Sequence, residues 1–322
     1  SPLIRFPRFM ARKVIIDCDP GIDDAVALAM ALFDSRLDVL AVTAVAGNVS
    51  GPQANQNVQA IIDHLDPPRI PRIGSTLEKR QGQPADARHI HGENGLGNIE
   101  LPISSHHQLH PAEKVICDLA LAHPNELTVI CLGPLTNMAR ALQRDSRLAG
   151  TLDQLVIMGG SINGIGNVTP TAEFNIYCDP ASARLVFRAP VTKTLVPLDL
   201  TRQVYFGMDI LKRLPPESSR VGWLLAQLVP HFFRSYHQQL GQERIHLHDA
   251  VALLAFTDPE LFQREGMAGD VEVQGELSAG GTFFDRRPNR TWQENMDVVC
   301  TVDATVAGQQ IIKSLELAGQ LS

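Results

Sequence analysis

Four aspartates fall within eight residues near the start of the chain, in Asp17-Cys18-Asp19-Pro20-Gly21-Ile22-Asp23-Asp24. Carboxylates crowded in this way repel one another and raise each other's pKa. A hard cation with oxygen ligands, Ca²⁺ or Mg²⁺, resolves the conflict. Asp23 and Asp24 also stand where a helix would begin, so an N-cap and a partner for the helix dipole account for one of them, or two. Capping leaves Asp17 and Asp19 unexplained, side by side on one face of an extended segment. The expectation is a metal or catalytic site.

Other residues along the chain could complete it. His248-Asp249 heads an apolar helical run and repeats the Asp23-Asp24 arrangement, although a capping role is the plainer alternative. Gly133 would let the carbonyl of Leu132 point into a site, and a backbone carbonyl is an ordinary Ca²⁺ ligand. Glu173 and Asn175 flank Phe174 in a loop that also holds Asn163, Asn167 and Asp179. That alternation suits one face of an extended segment, and amide–carboxylate pairs bind hydroxyl-rich ligands. Asn48 closes a strand as a turn former or as a ligand-facing amide. His91 lies in a long glycine-containing stretch, 75–111, which reads as a lid over a site or as a surface loop. His106-His107 lacks partners at metal-ligand spacing and reads as solvated surface. Tyr236 ends a helical run, where packing and chemistry are both open.

These residues need elements to position them. Val14, Ile15 and Ile16 form a β-branched run suited to a strand buried on both faces, and an apolar helix follows Pro20-Gly21. Strands are expected at 38–45, within 66–74, and at 127–132, 155–158 and 191–198. Helices are expected at 53–65, at 113–123, after Pro134 in a first helical turn, and at 180–187. The chain is largely helical over 205–240, has short β runs at 270–273 and 297–302, and closes with a helix from about 303. Strand–helix repetition with polar residues at strand carboxyl ends predicts an α/β fold. Its sheet is open and mainly parallel, with helices on both faces and the site at its carboxyl edge.

Composition narrows the function. An excess of 35 acidic over 28 basic residues argues against a nucleic-acid or membrane surface. Five cysteines are scattered without CxxC spacing and read as small buried hydrophobes. Neither a signal-peptide h-region nor a run of about 20 apolar residues is found, so a soluble cytoplasmic enzyme is expected. Residues 1–12 read as an N-terminal extension, disordered or foreign to the native chain, and 13–322 as a single domain.

Together the motifs resemble the inosine-uridine preferring nucleoside hydrolase family. They are Asp17 to Ala25, Val45-Ala46-Gly47-Asn48-Val49-Ser50, Gly133-Pro134-Leu135-Thr136-Asn137, Asn167 with Ala172-Glu173-Phe174-Asn175, and His248-Asp249, in the family's order. His91-Gly92, Gln274-Gly275-Glu276 and Tyr236 twelve residues before His248 resemble the bacterial broad-specificity ribonucleoside hydrolases. The resemblance implies a nucleoside hydrolase fold and one Ca²⁺ per subunit, held by Asp19, Asp24, Asp249 and the carbonyl of Leu132. Substrate O2′ and O3′ and a water would complete the shell, with Asp19 the general base on that water. Asp23, Asn48, Asn167, Glu173 and Asn175 would hold the ribose, and Asp17 would orient the site from behind. His248 would be the leaving-group acid because imidazole titrates near neutrality, with His91 and Tyr236 assisting or shaping the base pocket. The products would be ribose and a free purine or pyrimidine, and the assembly a homodimer or homotetramer. Cys18 replaces the Thr common between the first two aspartates, a tolerable change.

Two other functions fit parts of the pattern. Strand plus Asp17-x-Asp19 suits a haloacid dehalogenase-type phosphatase, but Gly21 stands where that family wants Thr or Val. A Ca²⁺-dependent nucleoside-binding protein would keep the clamp without catalysis.

Overall fold

The computed structural model describes residues 10–76, 85–104 and 107–322. Its strands are β1 (Arg12–Cys18), β2 (Leu37–Ala44), β3 (Arg72–Ser75), β4 (Leu109–Pro111), β5 (Leu127–Cys131), β6 (Gln154–Met158), β7 (Lys193–Val196), β8 (Phe262–Met267), β9 (Gly269–Val271), β10 (Thr282–Phe284) and β11 (Met296–Val302). Nine of them form one sheet in the order β4-β3-β2-β1-β5-β6-β7-β11-β8. Every neighbouring pair is parallel except β11–β8. The expected mainly parallel sheet is therefore the observed one. β9 and β10 make a separate antiparallel pair.

Parallel strands need crossovers, and the intervening helices cover both faces of the sheet. Ile16 packs into one core with Val26 and Leu28 of the helix Ile22–Leu32, while Ile15 packs into the other with Val129 and Phe187. Each such fully buried aliphatic side chain contributes about 1.5–3 kcal/mol, so β1 is held from both sides. Chain order reverses at β1: β2 lies on one side and β5, four strands later, on the other. Ligands of open α/β sheets bind in the crevice at the carboxyl ends of such a pair. Asp19 follows β1, and Leu132-Gly133 follows β5.

Several expectations need correction. Arg12 is not part of an extension: it opens β1, stacks 4.1 Å from the Phe256 ring centroid and donates to the Phe256 carbonyl at 2.9 Å. Residues 1–9 and His106 lie outside the described residues. His107 is no freely solvated side chain, because its Nε2 sits 2.5 Å from Asp63 Oδ1. Pro134 precedes the helix Thr136–Arg144 instead of entering its first turn. β8 and β10 escaped notice because Phe262–Met267 has Gln-Arg-Glu-Gly at its centre and Thr282–Phe284 is only three residues long. Among the described residues, no helix is long and apolar enough to cross a membrane. None of the five cysteines is in a disulfide, and four are buried.

Candidate active site

Asp19 sits at the mouth of the β1–β5 crevice with almost no room to move. Its Oδ2 accepts the backbone N–H of Asn48 at 2.7 Å. A Cβ added to Gly47 would lie 2.0 Å from Oδ2, and one added to Gly133 would lie 2.6 Å from Oδ1. The two glycines thus form walls against which the carboxylate rests. We expect Gly47→Ala to displace Asp19 and lower turnover by about 10²-fold, since a misplacement near 1 Å costs that much. A Gly47→Ala protein with undiminished kcat would show that this carboxylate position does not matter.

Asp23 and Asp24 enter from the first turn of Ile22–Leu32, and Asp249 from the first turn of His248–Thr257. One carboxylate oxygen from each of these three lies within 4.8 Å of the others. Asp24 fills both sequence readings at once. Its carboxylate caps the helix by accepting from the Gly21 N–H at 3.0 Å, and it also receives the Asn48 Nδ2–H at 3.1 Å. Asp19, Asp23, Asp24 and Asp249 are all buried. Burial raises each carboxyl, and charge repulsion from Asp24 raises Asp19 and Asp23 further; Asp249 feels Asp23 first. Among the described residues no Lys or Arg forms an ion pair with any of the four; His91 Nε2 lies 4.0 Å from Asp23 Oδ1. Buried like charges without a cationic partner are costly. The trio offers only oxygen atoms, Leu132 lines the cavity beside it, and such a set fits a hard cation. The facing trio includes Asp23 where the sequence reading put Asp19, whose backbone N–H donates to Asp24 Oδ1 at 3.2 Å.

Asp17 does not share this cavity. Its Oδ1 accepts from the Thr43 hydroxyl at 2.6 Å and from Asn137 Nδ2 at 2.8 Å, and burial raises it to about 7. It braces the end of β1 from behind, where its Oδ2 is buried without a hydrogen-bond partner.

Beside the aspartates, Asn48, Asn167, Glu173 and Asn175 line one cavity of about 730 Å³. The extended segment expected around Phe174 is instead a helix, Phe174–Cys178, with Glu173 as its N-cap. The Glu173 carboxylate accepts the N–H groups of Gly160, Asn175 and Ile176 at 3.0–3.1 Å. A Glu side chain bonded to the helix N-terminus beats period-2 alternation, because orphan N–H groups must find an acceptor. Burial nevertheless raises Glu173 to about 7. Asn175 Nδ2 donates to the carbonyls of Leu132 (2.9 Å) and Met158 (3.1 Å), which leaves its Oδ1 to receive a ligand hydroxyl. Asn167 is exposed at the rim, its Oδ1 accepting the Phe174 N–H.

The opposite wall is aromatic. His91 stacks on Phe232 at 5.3 Å, Tyr236 meets Phe232 edge-on at 4.8 Å, and His246 stacks on His248 at 5.5 Å and 17°. His91 Nδ1 accepts the Ile22 N–H at 2.9 Å, which ties the segment before Gly92 to the aspartate helix. The described part of the lid segment thus packs over the site. His248 does not sit near neutrality as the sequence suggested: enclosure lowers it to about 3, with the charges of His246 and Arg202 adding to the effect. Gln274 does not line this cavity. Sequence reasoning passed over Phe232, Arg202 and His246, all in the wall. Phe232 stands one helical turn before Tyr236 and was within reach of that spacing; Arg202 and His246 gave no local signal.

Comparison with known proteins agrees with this geometry. Residues 14–307 match the family model described as inosine-uridine preferring nucleoside hydrolase. Uridine nucleosidase 1 of Arabidopsis thaliana is 36% identical over 277 residues, covering 85% of this chain and 82% of the relative. The non-specific ribonucleoside hydrolase RihC of Salmonella enteritidis is 36% identical, with 90% and 93% covered. Among solved structures, the purine-preferring ribonucleoside hydrolase from Gardnerella vaginalis superposes with a TM-score of 0.89 at 27% identity, covering 97% of this chain and all of that one.

Proposed function

This chain belongs to the inosine-uridine preferring nucleoside hydrolase family, a family of metal-dependent hydrolases, and on that premise we propose that it cleaves ribonucleosides to ribose and free base with bound Ca²⁺. The observation that carries the reading is the facing trio of buried carboxylates beside a polar pocket with an aromatic opposite wall. Asp19, Asp24, Asp249 and the carbonyl of Leu132 would hold the cation, with Asp23 close by. A cage of several carboxylates plus a carbonyl suits Ca²⁺ better than Mg²⁺, which keeps more of its waters. Bound there, a cation would supply Lewis acidity that lowers the pKa of a nearby water.

The chain's own groups do the rest. Asp19, fixed by Asn48 and two glycines, takes a proton from the attacking water. Oxygen adds to C1′ and the electron pair of the C1′–N bond leaves with the base. Positive charge grows on the ribose in this step, and the surrounding carboxylates stabilise it. Asp23, Asn48, Asn167, Glu173 and Asn175 hold the ribose hydroxyls and set C1′ against the water. His248 donates an N–H hydrogen bond to the departing base, which leaves as its anion, and His91 and Tyr236 shape the slot it occupies. The 730 Å³ cavity admits purines as well as pyrimidines.

The test is ribose release from inosine and from nitrophenyl riboside, whose leaving group needs no proton. Wild-type protein should cleave both; cleavage of neither would reject the proposal. His248→Ala should lower turnover of inosine by about 10²–10⁴-fold while costing the nitrophenyl riboside far less. Equal losses would remove His248 from the leaving-group role.

A further inference from the structure

From the environment of His248 we infer that Thr201 is a positioning residue that holds this imidazole as the Nε2–H tautomer, presenting a hydrogen-bond donor to the departing base. The inference rests on the hydrolase reading above and deepens it. Thr201 is fully buried at the end of the short helix Leu198–Thr201, and its Oγ1 lies 2.7 Å from His248 Nδ1. Two arrangements are possible. Either the Thr201 hydroxyl donates to Nδ1, or Nδ1–H donates to the hydroxyl, whose own proton then needs another acceptor.

The alternative acceptor is the Leu198 carbonyl, which is poorly placed. It is 3.4 Å from Thr201 Oγ1 and already receives the Arg202 N–H at 3.0 Å. A 2.7 Å contact is a normal O–H hydrogen bond, whereas 3.4 Å is beyond the usual range. The hydroxyl proton therefore points to Nδ1, and the ring's single proton sits on Nε2. His91 follows the same rule within the same aromatic wall, where the Ile22 N–H occupies Nδ1. His246 fixes the plane of the His248 ring by stacking on it, and its own Nδ1 lies 3.0 Å from the Val204 carbonyl. Nothing in this arrangement requires His248 to lose a proton: Nε2–H hydrogen-bonds the ring nitrogen or carbonyl oxygen on which negative charge collects as C1′–N breaks.

The experiment pairs Thr201→Val, which keeps the shape and loses the hydroxyl, with Thr201→Ser, which keeps the hydroxyl. Thr201→Val should lower kcat for inosine at least about 10-fold and change nitrophenyl riboside turnover less than about 3-fold, with Thr201→Ser restoring most of the loss. Equal losses on both substrates, no loss on inosine, or failure of Ser to rescue would overturn the inference. A second measurement needs no variant: histidine ring-nitrogen NMR of the whole wild-type protein should show His248 protonated on Nε2 and bare on Nδ1. The opposite tautomer overturns the inference even if Thr201→Val does not fold. Wild-type protein that releases no ribose from any nucleoside would instead count against the hydrolase reading, whichever tautomer the spectrum shows.

Discussion

Asp19→Asn should lower kcat for inosine by about 10²–10⁴-fold or more, with a much smaller change in KM, because it removes the base and keeps the shape. The asparagine Oδ1 can still accept from the Asn48 N–H, and the amide still fits between Gly47 and Gly133. The same substitution should raise the melting temperature of chelator-treated protein. Asp19 is a buried carboxylate pushed upward by burial and by Asp24, so deleting its charge relieves repulsion. A single substitution would then improve the fold and abolish the chemistry, as expected where charge is crowded for function. Kinetics near wild type would remove Asp19 from the base role. A lower melting temperature without metal would show that the four carboxylates are not in conflict.

2′-Deoxyinosine should be a very poor substrate, with kcat/KM about 10³–10⁵-fold below that of inosine. A site built to hydrogen-bond a hydroxyl leaves buried polar groups unpaired when the hydroxyl is missing. The pocket is of this kind: the amides of Asn48 and Asn175 spend their N–H groups on Asp19, Asp24, Leu132 and Met158, so their oxygens are free for a ligand. The loss should fall on kcat as well as KM, because ribose contacts orient C1′ for attack. Comparable rates for the two nucleosides would mean that the polar wall does not hold the 2′-hydroxyl.

Much of this was legible before the fold was known, for reasons visible in particular residues. Val14 to Ile16 followed by four aspartates announced a buried strand ending in a site, and the strand order put that site at the chain reversal between β1 and β5. Asp249 was legible because it repeats the helix-head pattern of Asp23 and Asp24. Glu173 was read with the wrong backbone, since three N–H groups drawn to one carboxylate start a helix where alternation suggested an extended segment. Gly47 escaped because its importance is a distance to Asp19, 28 residues away in sequence, and distance leaves no mark on spacing. The lowered pKa of His248 escaped for a similar reason: its main cause is burial, and the enclosing walls come from elsewhere in the chain. Thr201 and Arg202 belong to a four-residue helix that gave no periodic signal.

The most direct test of the account is ribose release from inosine, uridine, cytidine and adenosine, each measured before chelation, after chelation and after Ca²⁺ is returned. The account predicts release from several of the four, loss on chelation and recovery with Ca²⁺. Release that survives complete removal of metal would contradict the role given to the carboxylate cluster, and no release from any nucleoside with Ca²⁺ present would contradict the hydrolase reading itself.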